Sequence, residues 1–220
     1  MSADLRLYAL VDPERAGGRD LPELARLLAS GGATLVQLRD KHGSTRAMVE
    51  TARAIRCALA PFNIPFLVND RADVAFAAGA DGVHLGQDDM TVEDARRLLG
   101  PHAVIGLSIK TLEQAAAAPL ELLDYVCIGG VFATTSKDNP DPPIGLPGLR
   151  GIFAKMRARD PDLPIGAIAG IDACNAADVI GVGVDGIAVI SALSLVGDPQ
   201  AAARDLRGIV EAALAKRQAA

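Results

Sequence analysis

The chain has 220 residues, half of them hydrophobic and 3% aromatic, with a formal net charge of −5. That is enough for one substantial core and no clear second domain. The acidic balance argues against nucleic acid or an anionic membrane as partner, so an anionic ligand has to be held by a local cluster of cations. The start, MSADLRLYALVD, lacks the basic segment, long apolar stretch and cleavage site of a signal peptide. A cytoplasmic location is expected. Cys57, Cys127 and Cys174 are widely spaced, with no CxxC, and are expected to be buried, inert thiols in a reducing compartment.

Short apolar runs punctuate the chain. LYALV (7–11) comes first, followed by DLPELARLLASGG, where Leu21, Leu24, Leu27 and Leu28 share a helical face that Gly31 and Gly32 end. TLVQL (34–38), PFLVN (65–69) and GVHLG (82–86) follow. Thr91-x-x-Asp94 resembles a capping box opening a helix, VIGLS (104–108) is the next strand, and Thr111-x-x-Gln114 is a second box. YVCIG (125–129), PIGAIA (164–169) and GIAVIS (186–191) complete eight strand candidates. GVGVDG (181–186) matches G-x-G-x-x-G, but it precedes a strand, whereas a dinucleotide fingerprint follows one; it reads as a tight turn. The glycines and Asp185 also divide the apolar stretch 179–197 too finely for a membrane span.

Strands alternating with helices at this pace predict parallel βαβ units, and eight in this length predict a single-domain α/β (β/α)8 TIM barrel over 1–220. Gly79-Ala-Asp-Gly82 and Gly183-Val-Asp-Gly186 form an internal echo four units apart, with Gly32-Ala-Thr resembling their beginning.

In such a barrel the chemistry sits at the carboxyl ends of the strands. The run TLVQLRDK departs from a strand buried on both faces: Gln37, Arg39 and Lys41 lie on one face, Val36 and Leu38 on the other. We expect the polar face to climb from the barrel interior to its mouth. Strand 3 ends at Asn69 and Asp70; strand 4 leads to Gln87, Asp88 and Asp89. Carboxylates on adjacent strand ends repel unless a cation lies between them, and one or two acids suit a Mg2+ that also binds substrate phosphate. Asp70 and Asp89 are the candidate metal ligands; a loop cap or a salt bridge to Arg71 is the structural alternative. Strand 5 ends at Ser108. The loop after strand 6, about 129–146, is about three times the usual βα connection and carries Thr134, Thr135, Ser136 and Lys137, a candidate phosphate cradle. Gly170, Ile190 and Ser191 follow strands 7 and 8, where barrels commonly bind phosphate. His84, mid-strand, reads as a barrel-lining histidine.

The ordered set QLRDK, NDR, GVHLGQDD, GLS, TTSK, AGI and VIS resembles the thiamine-phosphate synthase family across nearly the whole chain. The resemblance implies Mg2+-assisted alkyl transfer in thiamine biosynthesis, joining 4-amino-2-methyl-5-(diphosphooxymethyl)pyrimidine to a thiazole phosphate, carboxylated or not. Thiamine phosphate and pyrophosphate would be the products. It implies Gln37, Arg39, Lys41 and Asn69 around the pyrimidine diphosphate, Asp70 and Asp89 on Mg2+, and Ser108 and Lys137 as further diphosphate contacts. Arg39, Lys41, Lys137 and Ser108 are the implied catalytic set. Thr134, Thr135 and Ser136 would face the thiazole phosphate, with Gly170, Ile190 and Ser191 as its cradle. The implied reaction is dissociative, so no general base is demanded. The chain departs from the family pattern at Gly130-Val131-Phe132-Ala133, at Ser136 for threonine, at Lys110 for histidine, and at Ala167-Ile168-Ala169-Gly170 for a GIGG run. A thiazole tautomerase on the same barrel needs neither Mg2+ nor a diphosphate site, and the retained cations and acids argue against it. Small-molecule substrates are the expected partners, and a homo-oligomer stays open.

Overall fold

The structure is a computed structural model and describes residues 3–136 and 142–219. In chain order it runs β1 (Leu7–Val11), α1 (Leu21–Ser30), β2 (Leu35–Leu38), α2 (Thr45–Leu59), β3 (Phe66–Asn69), α3 (Ala72–Ala78), β4 (Gly82–Leu85), α4 (Val92–Leu99) and β5 (Val104–Ile109). It continues with α5 (Leu112–Ala117), β6 (Tyr125–Ile128), α6 (Gly145–Arg159), β7 (Ile165–Ile168), α7 (Ala176–Gly181), β8 (Gly186–Val189), α8 (Ser191–Ser194) and α9 (Pro199–Gln218). The strands are parallel and close into a barrel in sequence order, β8 returning to β1 with Leu7 opposite Ile187. The expected (β/α)8 barrel is what forms. Among the described residues no helix is long and apolar enough to cross a membrane.

Strand alternation sorts the core into two layers. Val36, Leu38, Phe66, Val68, Ile105 and Ile187 point outward into the large cluster shared with the helices. Tyr8, Leu10, Leu35, Leu67, Tyr125 and Cys127 belong to a separate cluster inside the barrel. The helices meet the outer layer through apolar stripes. In α1, Asp20 caps the first turn through the Glu23 N–H at 3.1 Å, and Leu24 and Leu28 are fully buried. Truncating either leucine to alanine costs about 2–5 kcal/mol.

The internal echo has a physical cause. Asp81 donates its N–H to Phe66 O at 2.9 Å and accepts the Phe66 N–H on its carboxylate at 2.7 Å. Asp185 does the same to Ile165, at 2.7 and 2.9 Å, and Thr34 to Leu7, at 2.8 and 3.0 Å. Asp124, which the sequence pattern did not single out, makes the same pair with Ile105. Each residue before an even strand therefore ties down the first N–H of the preceding odd strand, or in β5 the second, so the barrel repeats every two βα units. Thr34 is thus a cap and not, as expected, the first residue of β2.

Other expectations shift by a residue or more. β3 begins after Pro65, β4 and β6 stop before Gly86 and Gly129, β5 runs one residue further to Ile109, and Ser191 opens α8. The GVGVDG run is a turn between α7 and β8, as expected. Thr91 and Thr111 cap α4 and α5, but Gln114 turns back to the Lys110 N–H at 2.7 Å. The expectation of three buried cysteines is corrected: Cys127 is buried inside the barrel, whereas Cys57 and Cys174 are exposed. The buried stripe of α2 is Met48, Ala52, Ile55 and Leu59, and Cys57 falls off it.

Candidate active site

The polar face of β2 rises through the barrel as expected. Gln37 is 1% exposed; its Nε2 donates to the Tyr8 hydroxyl, and its Oε1 is buried without a partner among the described residues. Arg39, further up, pairs with Asp12, the residue after β1; the two side chains are 11% and 2% exposed. Lys41, at the rim, meets the Asp70 carboxylate.

Asp70 sits just past β3 with φ +62°, a left-handed conformation that aspartate tolerates. Its N–H donates to His84 O at 2.8 Å, fixing it beside β4. Asp89 is held by a loop contact in which its Oδ2 accepts the Gly86 N–H at 2.6 Å. Burial, then the facing Asp89 carboxyl, push the Asp70 pKa up to about 6 against the opposing pull of Lys41. The alternative salt bridge to Arg71 does not form; Arg71 pairs with Asp73 at 2.6 Å. Asp88 is exposed. Arg39, Lys41, Asn69, Asp70, Asp89 and Ser108 line one cavity of about 470 Å3, with Lys110 also on its wall.

Across the mouth lies a second cavity, of about 560 Å3, lined by Thr134, Thr135, Ser136, Gly170, Ile190 and Ser191. Its polar groups are neutral apart from the exposed Asp172, whose carboxylate accepts the Cys174 N–H at 2.8 Å. The Ser136 and Ser191 hydroxyls lie 2.6 Å apart, Thr134 Oγ1 accepts the Ser136 N–H at 3.1 Å, and Arg15 donates to the Thr135 carbonyl. Gly170, at φ +64°, leaves no room for a side chain: a Cβ there would lie 2.4 Å from Ala133 O. Ala169 takes φ +99°, which costs a residue with a Cβ on the order of 1–3 kcal/mol.

A small space of about 40 Å3 joins the two cavities. It shares Arg39, Asn69, His84 and Ser108 with the charged one and Ile168 and Ile190 with the neutral one. On its floor the Tyr8 and Tyr125 hydroxyls are 2.9 Å apart, Tyr125 OH is 2.8 Å from His84 Nδ1, and His84 Nε2 is 2.9 Å from Ser108 Oγ. Burial holds both phenols well above their usual range, so both stay protonated.

The structure thus brings together thirteen of the fourteen expected site residues around one mouth. The fourteenth, Lys137, lies outside the described residues. Sequence reasoning missed Asp12, Tyr8 and Tyr125, and treated His84 as lining alone. Asp12 carried a signal, since it directly follows an apolar strand run as Asp70 does.

The family described as thiamine monophosphate synthase matches residues 7–193 of this chain. A thiamine-phosphate synthase of Agrobacterium fabrum is 52% identical over 215 residues, covering 98% of each chain. One from Methanoculleus marisnigri is 47% identical over 210 residues, 96% of this chain and 97% of the relative. Among solved structures, a thiamine phosphate pyrophosphorylase from Pyrococcus furiosus superposes with a TM-score of 0.83 at 39% identity, covering 96% of this chain and 98% of its own. With a shared barrel and identities of this size over nearly the full length of both chains, this chain belongs to the thiamine monophosphate synthase family.

Proposed function

We propose that this chain condenses the pyrimidine diphosphate with a thiazole phosphate across the two-cavity mouth, releasing pyrophosphate. The observation that carries this reading is the small polar space joining a charged cavity to a neutral one, a track for a diphosphate, an aromatic ring and a monophosphate in that order. Arg39 and Lys41 offer cations to the diphosphate, and Ser108 and Asn69 offer neutral hydrogen bonds. The unpaired Gln37 Oε1 is an acceptor suited to the pyrimidine amino group. Ser136, Ser191 and the backbone beside Gly170 receive the thiazole phosphate.

The bond from the pyrimidine methylene to the diphosphate oxygen breaks, with its electron pair leaving on pyrophosphate, and the thiazole nitrogen then forms the new C–N bond. No base on the protein is required. The enzyme's task is to stabilise charge on the leaving group, and each preorganised contact is worth about 3–4 kcal/mol. Lys137, on resemblance, adds one such contact.

Asp70 and Asp89 would hold a Mg2+. Two facing carboxyls, one raised to about 6, form a site that a divalent cation relieves. Among the described residues no group of three or more His, Cys, Asp or Glu could make an all-protein cage, and Mg2+ shared with substrate phosphates does not need one. Bound there, Mg2+ supplies charge neutralisation for the departing diphosphate. A cytoplasmic location goes with this reading, since Cys57, Cys127 and Cys174 form no disulfide and two of them are exposed.

The test is incubation with both substrates, with and without Mg2+, following thiamine phosphate and pyrophosphate. Both products should accumulate and chelator should abolish them. Isomerisation of a thiazole with no pyrophosphate would favour the tautomerase reading; full activity in excess chelator would remove the metal.

A further inference from the structure

The hydrogen-bond chain under the mouth has a direction. An amide Nε2 can only donate, so Tyr8 accepts from Gln37. The Tyr8 proton then goes to the Tyr125 oxygen, 2.9 Å away, and the Tyr125 proton to His84 Nδ1, 2.8 Å away. His84 is left with its proton on Nε2, which donates to Ser108 Oγ at 2.9 Å. Ser108 has accepted a bond from below, and its own proton turns toward the cavity that it lines. With Gln37 Nε2 on Tyr8, the reverse order fails at the first phenol: if His84 Nδ1 donated to Tyr125 and Tyr125 to Tyr8, the Tyr8 oxygen would receive two donors and its own proton would be stranded in a fully buried site.

The packing around Tyr125 serves this contact. Its ring stacks on His84, with centroids 5.5 Å apart, and meets Tyr8 edge-on at 5.8 Å. It occupies the space above Gly106, where a Cβ would lie 2.1 Å from Tyr125 Cζ. Any larger residue at that position in β5 would push the phenol off the histidine.

We propose that Tyr8 and Tyr125 are positioning residues: their hydroxyls carry polarity from Gln37 to His84, fix the Nε2–H tautomer, and so make Ser108 a donor toward the leaving diphosphate. An anion needs a donor, and a serine whose proton was committed to His84 would present lone pairs instead. The catalytic half of this inference rests on the proposed contact between Ser108 and the diphosphate; the tautomer half does not.

The experiment has two readouts on the full-length protein. The first is 15N NMR of labelled histidine, with His84 assigned by comparison with His84→Asn. Wild type should show an acceptor-type Nδ1 and a protonated Nε2, and Tyr125→Phe should lose that preference. Gly106→Ala should lose it too, though both hydroxyls remain. A protonated Nδ1 in wild type overturns the polarity. The second is kinetic. Tyr125→Phe should lower kcat about tenfold, the scale of one lost hydrogen bond, with KM for the thiazole phosphate unchanged. The loss should vanish in a Ser108→Ala background, and an equal loss there overturns the claim that Tyr125 acts through Ser108. Full activity of Ser108→Ala beside the expected tautomer rejects the diphosphate contact while leaving the network standing. If Tyr125→Phe does not fold, Tyr8→Phe, which removes the directing donor together with the acceptor for Gln37 Nε2 and leaves Tyr125 on His84, replaces it in both readouts.

Discussion

The two cavities of the mouth handle anions by opposite means. The one over β2 to β5 uses formal charges of both signs, with Lys41 on Asp70, Arg39 on Asp12 and Asp89 facing Asp70. The one over β6 to β8 uses hydroxyls and backbone around Gly170. A diphosphate that must leave needs charge that strengthens as it departs, whereas a monophosphate that is only held is served by neutral donors. The charged half is consequently the costly half to build, because its groups are partly buried and stable only as pairs.

That contrast breaks most visibly at Asp12. Asp12→Ala leaves the Arg39 guanidinium, 11% exposed, without its partner. Breaking a buried pair this way costs about 3–5 kcal/mol, so denaturant unfolding should show a loss of that order. A loss under about 1 kcal/mol would mean that solvent or the loop already serves the arginine. Second in size, Asp70→Asn should cut turnover at least about a hundredfold, or about 2.7 kcal/mol. Asparagine keeps the left-handed backbone at φ +62°, so the melting temperature should hold while activity falls. The neutral half should respond mildly: Ser191→Ala removes one hydroxyl, and KM for the thiazole phosphate should rise about three- to tenfold with folding unaffected. A loss there as large as at Asp70 would erase the distinction between the halves.

The difference between the halves also explains what was legible in the sequence. Gln37, Arg39 and Lys41 stood out because charge on a parallel strand violates its normal burial, and Asp70 and Asp89 because two acids end adjacent strands. Asp12 obeyed the same rule and was passed over at the end of the first strand. Tyr8 and Tyr125 were hidden differently. Each sits in an apolar run where a tyrosine raises no suspicion, and their contact spans 117 residues. Period-two alternation places Tyr8 and Leu10 on one face of β1, but the meeting of Tyr8, Tyr125 and His84 depends on barrel closure and on the space above Gly106. Cys57 was readable, since its phase on α2 lies off the stripe that ends at Leu59. The barrel itself was legible because its signal repeats eight times, whereas each hydrogen bond of the floor occurs once.

The smallest effect, and the one that separates the halves most cleanly, is on pH. In the metal-free protein Asp70 has a folded pKa of about 6, against 3.8 for the ordinary carboxyl, so the folded state binds the proton more tightly than the unfolded chain does. The resulting stability is fully present below about 3.8 and is lost as pH rises through about 6. In chelator, the melting temperature of wild type should therefore fall between pH 5 and 7 relative to Asp70→Asn, which has no such proton to lose. Mg2+ competes for the same oxygens and should raise the wild-type melting temperature more at pH 7 than at pH 5. Ser191→Ala should track wild type throughout, because it leaves Asp70, Asp89 and Lys41 in place. Parallel wild-type and Asp70→Asn curves in chelator would mean that Lys41 keeps Asp70 ionised across this range, and that the two acids face each other without the strain a cation would relieve.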